Sequence, residues 1–188
     1  MVLRLQSWVV MVVNKRLIIL IYFILIGFNI MGFQLKSNSF KSNQLLDKKY
    51  SCEGEDISPD LSWSGIPQGT KSLALIVDDP DAPRKEPWVH WVIFNIPASI
   101  SHLKENISKQ LAQDPNLRNA IQGTTDFGKT HYNGPCPPAG KPHRYFFTLY
   151  ALDQELPLKA NAKKNDIIKA MEGHILESTE LVGLYQIK

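Results

Sequence analysis

The sequence predicts a mainly β domain, and three observations carry that expectation. Residues 72–77, 89–96 and 144–152 are short runs dense in aliphatic, β-branched and aromatic side chains. Glycine and proline bound these runs and fill the connections between them. Only one stretch, late in the chain, repeats apolar residues at helical spacing. Short apolar runs with turn residues between them are the pattern of packed strands.

A chain of 188 residues points to one domain with a short appendage. The appendage is N-terminal. Residues 17–33 read LIILIYFILIGFNIMGF and follow Lys15 and Arg16. A basic step before an apolar run is the pattern of an export signal, and about 17 residues is also near the length that spans a bilayer. Residues 1–33 therefore read as a signal peptide or a membrane anchor, with Met11 an alternative start. Gly32 and Ser37 are the nearest small residues to a cleavage site. The expectation is a body exported to the periplasm or beyond, or held at the inner membrane by this segment. A core helix is the bland alternative, and the missing amphipathic period argues against it.

Charge supports the division. Arg4, Lys15 and Arg16 all lie in the leader, which has no acid; removing them from 21 leaves 18 basic residues against 18 acidic. A body of balanced charge lacks the clustered cations that a nucleic-acid binder needs.

Residues 34–47 are polar and read as a linker or a first-strand region, ahead of a domain over 48–188. Gly54, Pro59, Gly65, Pro67 and Gly69 then mark turns, with Leu61 to Trp63 a short extended piece between them. Residues 72–77 (SLALIV), 89–96 (VHWVIFNI) and 144–152 (RYFFTLYAL) are apolar on both alternating faces, which predicts central strands covered on both sides. Residues 97–129 show no period and predict a long loop with one helical turn. Residues 130–143 (THYNGPCPPAGKPH) form a proline-stiffened loop. Ile167, Ile168, Met171 and Ile175 predict a helix over 165–178, capped by Asp166, and 180–187 reads as a last strand.

Three polar groups sit at the ends of these strands. Asp78, Asp79 and Asp81 lie among Pro80, Ala82 and Pro83 directly after the first central run. Prolines hold the preceding residues extended, so the acids are displayed on a stiff frame; taken singly this is an ordinary solvated turn. On a strand, His90 shares a face with Trp88, Val92 and Phe94, and the bland alternative is a core histidine bonded to a carbonyl. His143 and Tyr145 share a face with Phe147 and Leu149 where the last long run begins. Arg144 faces the other way and reads as a structural partner for a carboxylate. Polar groups at the ends of apolar strands beside rigid loops are the makings of a small binding pocket.

These residues resemble the signature of the phosphatidylethanolamine-binding proteins, also called Raf kinase inhibitor proteins. The resemblance lies in Asp79-Pro80-Asp81-Ala82-Pro83, in His90 to Asn95, and in Gly134-Pro135-Cys136-Pro137-Pro138 running to His143-Arg144-Tyr145. Ser58-Pro59 with Leu61 and Trp63 agrees upstream, and the GPCPP loop and the ending LVGLYQ are nearest to the bacterial branch. The resemblance implies an antiparallel Greek-key sandwich, a large sheet packed on a smaller one with a helix at its edge. It implies a non-enzymatic pocket for phosphate or a phosphoethanolamine-type head group, with no cofactor. By motif match, Asp79, Asp81, His90, His143 and Tyr145 line that pocket, and Pro83, Trp88, Gly134, Pro135, Cys136 and Pro137 wall it. Eukaryotic members carry a further C-terminal helix, whereas this sequence stops at LVGLYQIK; lipid choice and kinase-related roles do not carry over with it.

An aspartate beside an anion site is at first sight unfavourable, since like charges repel strongly away from water. The expected resolution is that an aspartate orients His90 or His143 and favours its protonated form, which donates to the anion. The other resolution pairs the aspartate with the ammonium of a zwitterionic ligand. Two competing functions stand beside this one. The chain could inhibit a kinase or protease by surface contact. It could also be a metal-dependent hydrolase using His90, His131, His143, Asp79 and Asp81, although no compact metal-ligand pair is present. Neither a CxxC nor a G-x-S-x-G motif occurs in the body. Cys52 and Cys136, the only cysteines, are either a disulfide, if the body is exported, or two buried thiols. Asn106-Ile107-Ser108 matches a glycosylation acceptor, read as a chance match.

Overall fold

A computed structural model describes residues 32–188, so the leader readings lie outside the described residues except at Gly32 and Phe33. Among the described residues there are nine strands and one α-helix. They are β1 (Gln34–Lys36), β2 (Gln44–Leu45), β3 (Leu61–Ser64), β4 (Ser72–Asp79), β5 (Trp88–Pro97), β6 (His102–Leu103), β7 (Ile121–Gln122), β8 (His143–Leu152), α1 (Lys164–Met171) and β9 (Ile175–Tyr185). They form two sheets, one of three strands in the order β1-β3-β6 and one of six in the order β2-β9-β8-β4-β5-β7. The mainly β expectation, a large sheet on a smaller one, is what the chain adopts. Pairing in the large sheet is antiparallel except between β2 and β9.

The apolar runs become central strands because both faces of the large sheet are covered. Leu73, Leu75, Val77, Trp91, Ile93, Phe147 and Leu149 pack with Leu35, Leu61, Trp63 and Leu103 of the small sheet. On the other face Ala74, Ile76, Val92 and Phe94 pack with Ile167 and Met171 of α1. Each such aliphatic or aromatic side chain removed from water contributes roughly 1.5–3 kcal/mol, so a run with no polar face is stable only in this position. Phe33, counted with the leader from sequence, is buried here, as are Leu35, Phe40 and Leu46. The region 34–47 thus supplies two short strands and core side chains.

Two boundaries differ from the sequence reading. Asp78 and Asp79 are the last residues of β4 and do not follow it. The late helix stops at Met171, not near 178, because Gly173 adopts φ +78 and Ile175 already starts β9. Ile175 matched the helical period by accident; it is a half-exposed strand residue. Asp166 is in the first turn and accepts from the Lys163 backbone N–H at 2.8 Å, closing the helix start from the third position. The loop 97–129 holds β6, β7 and three short 3-10 turns.

The proline loop is fastened to the segment 48–56 at several points. Cys52 and Cys136 form a disulfide with Cα atoms 5.4 Å apart. The Cys52 N–H donates to the Pro135 carbonyl at 3.1 Å, and the Gly134 N–H to Asp56 Oδ1 at 2.5 Å. The Tyr132 hydroxyl, fully buried, donates to the Tyr50 carbonyl at 2.9 Å. Gly134 is required by close approach, since a Cβ there would lie 2.1 Å from the Tyr50 carbonyl oxygen.

Two outcomes follow for stability. Reduction of the disulfide, which closes a separation of 84 residues, is expected to lower unfolding free energy by about 4–5 kcal/mol in the chain-entropy account. Denaturant melts with and without reductant measure this, and coincident curves would contradict it. Gly134→Ala is expected to destabilise by about 1–3 kcal/mol through overpacking against backbone that has little room to move; an unchanged midpoint would contradict it.

Candidate functional site

Antiparallel pairing brings the three polar segments to one end of the large sheet. β5 and β8 flank β4 and both run against it. The end of β4 therefore lies beside the starts of β5 and β8. Around that end a cavity of about 250 Å³ is lined by Asp79, Trp88, His90, His143 and Tyr145, with Pro83, Cys136 and Pro137.

The two histidines are held differently. His143 Nδ1 is 2.8 Å from Asp79 Oδ2, and both side chains are buried. Asp79 Oδ1 accepts from the Asp81 backbone N–H at 2.8 Å. Both carboxylate oxygens are thus satisfied inside the protein, and the His143 ring is fixed with Nε2 free of protein partners. His90 Nδ1 donates to the Asn133 carbonyl at 2.7 Å, the arrangement the bland alternative proposed for it. Burial is the main force on His90 and lowers its pKa below the ordinary value of 6.5, so its ring is neutral at neutral pH. A neutral ring that donates through Nδ1 offers Nε2 as an acceptor.

His90 reaches the cavity through a break in strand alternation. Val77 pairs with Trp91 and Asp78 pairs with Val89, which leaves His90 as an extra residue in β5. The face assignment from sequence is corrected here. His90 does not share its face with Val92 and Phe94, which pack under α1. Its ring stands edge-on to Tyr145 at 5.1 Å, on the inter-sheet side.

Two buried donors lack partners. The Tyr145 hydroxyl and Trp88 Nε1 are both sealed and make no hydrogen bond within the protein. Tyr145 is 1% exposed. Its pKa is pushed upward, first by burial and then by the nearby Asp79 carboxylate, so it stays a protonated donor. An unpaired buried polar atom costs about 1–3 kcal/mol, and a chain keeps such atoms where something else can meet them.

Several residues assigned to the pocket lie beside it. Asp81 does not line the cavity. Arg144 binds it with both ends of its guanidinium, Nε to Oδ2 at 2.9 Å and a terminal nitrogen to Oδ1 at 2.8 Å. This pairing holds the Asp81 carboxyl down to about 2, and it is the structural partnership expected for Arg144. Gly134 and Pro135 fasten the loop behind the wall and do not line it. His131 is also absent from the lining and contacts the Tyr132 carbonyl. Among the described residues no three His, Cys, Asp or Glu are grouped to hold a metal ion.

Sequence reasoning missed Ala82, Pro138 and Phe127, which complete the lining. Phe127 sits edge-on to Trp88 at 5.4 Å and to His90 at 5.3 Å. Its signal was a single aromatic in the otherwise polar run 123–131. Behind it Asp126 accepts from the Val89 N–H at 2.8 Å and pairs with Arg84, whose guanidinium lies 4.5 Å from the centre of the Trp88 ring.

Comparison with known proteins identifies the family. The family profile named Phosphatidylethanolamine-binding protein matches residues 36–186. A UPF0098 protein of Methanothermobacter thermautotrophicus is 52% identical over 141 residues, covering 75% of this chain and 90% of that one. A UPF0098 protein of Pyrococcus horikoshii is 47% identical over 146 residues, covering 77% and 72%. Among solved structures, E. coli YbcL, described as a member of the mammalian family, superposes with a TM-score of 0.78 at 36% identity, over 83% of this chain and 99% of its own. The Chlamydia trachomatis homologue CT736 gives 0.74 at 40% identity, over 84% and 99%. With a profile match across nearly the whole described body and relatives this similar, the chain belongs to the phosphatidylethanolamine-binding protein family.

Proposed function

We propose that this chain is a non-enzymatic binding protein whose pocket takes a small anion, a phosphate group free or within a phosphoethanolamine-type head group. The observation that carries the reading is the set of unmet polar atoms at the cavity. Tyr145 and Trp88, which line it, carry a buried O–H and N–H without partners in the protein, and His143 brings a ring nitrogen fixed by Asp79. Together they could donate to one anion, the His143 ring through Nε2 when both of its nitrogens carry a proton. The sulfur in the wall, Cys136, is tied up in the disulfide and is no nucleophile. The disulfide also supports an oxidising compartment, and with it export of the body.

Sulfate is the probe, since its own charge is constant between pH 5 and 8. Isothermal titration is expected to show binding by the unaltered chain, and His143→Gln is expected to bind about tenfold or more weakly through loss of a hydrogen bond to the anion. No sulfate binding by the unaltered chain, or equal affinity in the variant, would overturn the reading.

Stability carries a separate pH signature from His90. Its folded pKa lies below the ordinary 6.5 because burial disfavours charge. Below that pH the unfolded chain binds a proton that the folded chain refuses, so stability drops as pH falls through 6.5. Denaturant melts at pH 7.5 and 5.5 are expected to show this loss, and His90→Gln is expected to reduce it; an equal loss in both proteins would contradict the assignment.

A further inference from the structure

We propose that Phe127 and the aromatic wall it completes select the arm attached to the anion, so that the pocket prefers a phosphomonoester with an apolar, aromatic arm over inorganic phosphate or phosphoethanolamine. The inference rests on the anion reading for the head group and adds the class of what the head is joined to.

The cavity changes character with depth. Asp79, His90, His143 and Tyr145 are each at most 6% exposed and form its polar floor. The more exposed lining is apolar, with Ala82, Pro83, Pro138 and Phe127, the last 39% exposed. At about 250 Å³ the space equals roughly eight waters at about 30 Å³ each. A bare phosphate fills only part of it, and the remainder is walled by carbon. Rings run without interruption from mouth to floor, with centroids 5.4 Å apart for Trp88 and Phe127, 5.3 Å for Phe127 and His90, and 5.1 Å for His90 and Tyr145. Such spacings are those of edge-to-face contacts, which a planar arm can extend.

Phe127 is not a stray surface aromatic. Its turn is closed by Thr125 N–H to the Lys129 carbonyl at 2.8 Å and by Gly128 N–H to the Thr125 carbonyl at 3.0 Å, with Gly128 at φ +71. Asp126 clamps that turn to β5 through both the N–H and the carbonyl of Val89, at 2.8 and 3.1 Å. The exposed ring is thus held over the cavity by the hydrogen bonds of its turn.

An ammonium arm fits less well. Asp79, the one acid in the lining, has both oxygens engaged, by His143 and by the Asp81 N–H. The face of Trp88 already carries a cation, the Arg84 guanidinium. What remains on offer to an arm is ring edge and proline.

The test titrates the full chain in mild detergent at pH 6 with inorganic phosphate, phosphoethanolamine and phenyl phosphate. Phenyl phosphate is expected to bind about tenfold more tightly than the other two. In Phe127→Ala that ratio is expected to shrink to about threefold or less, with Phe127→Leu between; the leucine variant decides the matter if circular dichroism shows the alanine variant unfolded. If phosphate binds but phenyl phosphate is no tighter, or the ratio survives in the variants, the inference on the arm falls and the anion reading stands. If none of the three probes binds the unaltered chain, the anion reading falls and takes the inference with it.

Discussion

The hydrogen-bonded pair of Asp79 and His143 joins the last residue of β4 to the first residue of β8, and the site depends on it. Backbone pairing between these strands ends at Asp78 and Phe146. Beyond that point side chains must hold the strand ends together. Asp81 and Arg144 form a second clasp next to the first, but Arg144 is half exposed, and such pairs contribute little in water. The inner pair is buried on both sides. Losing one partner would strand the other away from water, which costs about 1–3 kcal/mol. That asymmetry makes the inner clasp the one that fixes the floor of the cavity, and it also sets which nitrogen of His143 faces inward.

The extra residue in β5 has the complementary role. Without it, His90 would alternate onto the α1 face, among Val92 and Phe94. With it, an imidazole stands against Tyr145 on the side where the cavity opens. The disulfide and the Gly134 contacts then hold the proline loop against segment 48–56, so that Cys136 and Pro137 close the wall. These devices act at separate points around the cavity. Together they keep polar groups unpaired inside a folded protein, which the hydrophobic layers on both faces of the sheet can sustain.

The sequence made the central strands legible because residues 72–77, 89–96 and 144–152 are apolar on both faces, and only a covered sheet accommodates that. The shared face of His143 and Tyr145 was legible because β8 alternates regularly from His143 to Tyr150. The face of His90 was not legible, since a bulge is decided by pairing with β4 and not by the composition of β5. Asp81 looked equivalent to Asp79 in a stiff acidic turn, yet β4 ends at Asp79, and the turn that follows hands Asp81 to Arg144. The helix end was misjudged because Ile175 fits a 3.6-residue period, whereas Gly173 two residues earlier had already turned the chain. Phe127 escaped notice because its role depends on a turn clamped by Asp126, a contact between distant segments. What composition and spacing encode locally was readable; what depends on one segment meeting another was not.

The most direct measurement is a crystal of this protein soaked with phosphoethanolamine. The account predicts density for a phosphate group within hydrogen-bonding distance of His143 Nε2 and the Tyr145 hydroxyl, with Asp79 still bound to His143 Nδ1. A cavity that stays filled by water alone at saturating ligand, or a phosphate group seated elsewhere on the surface, would contradict it.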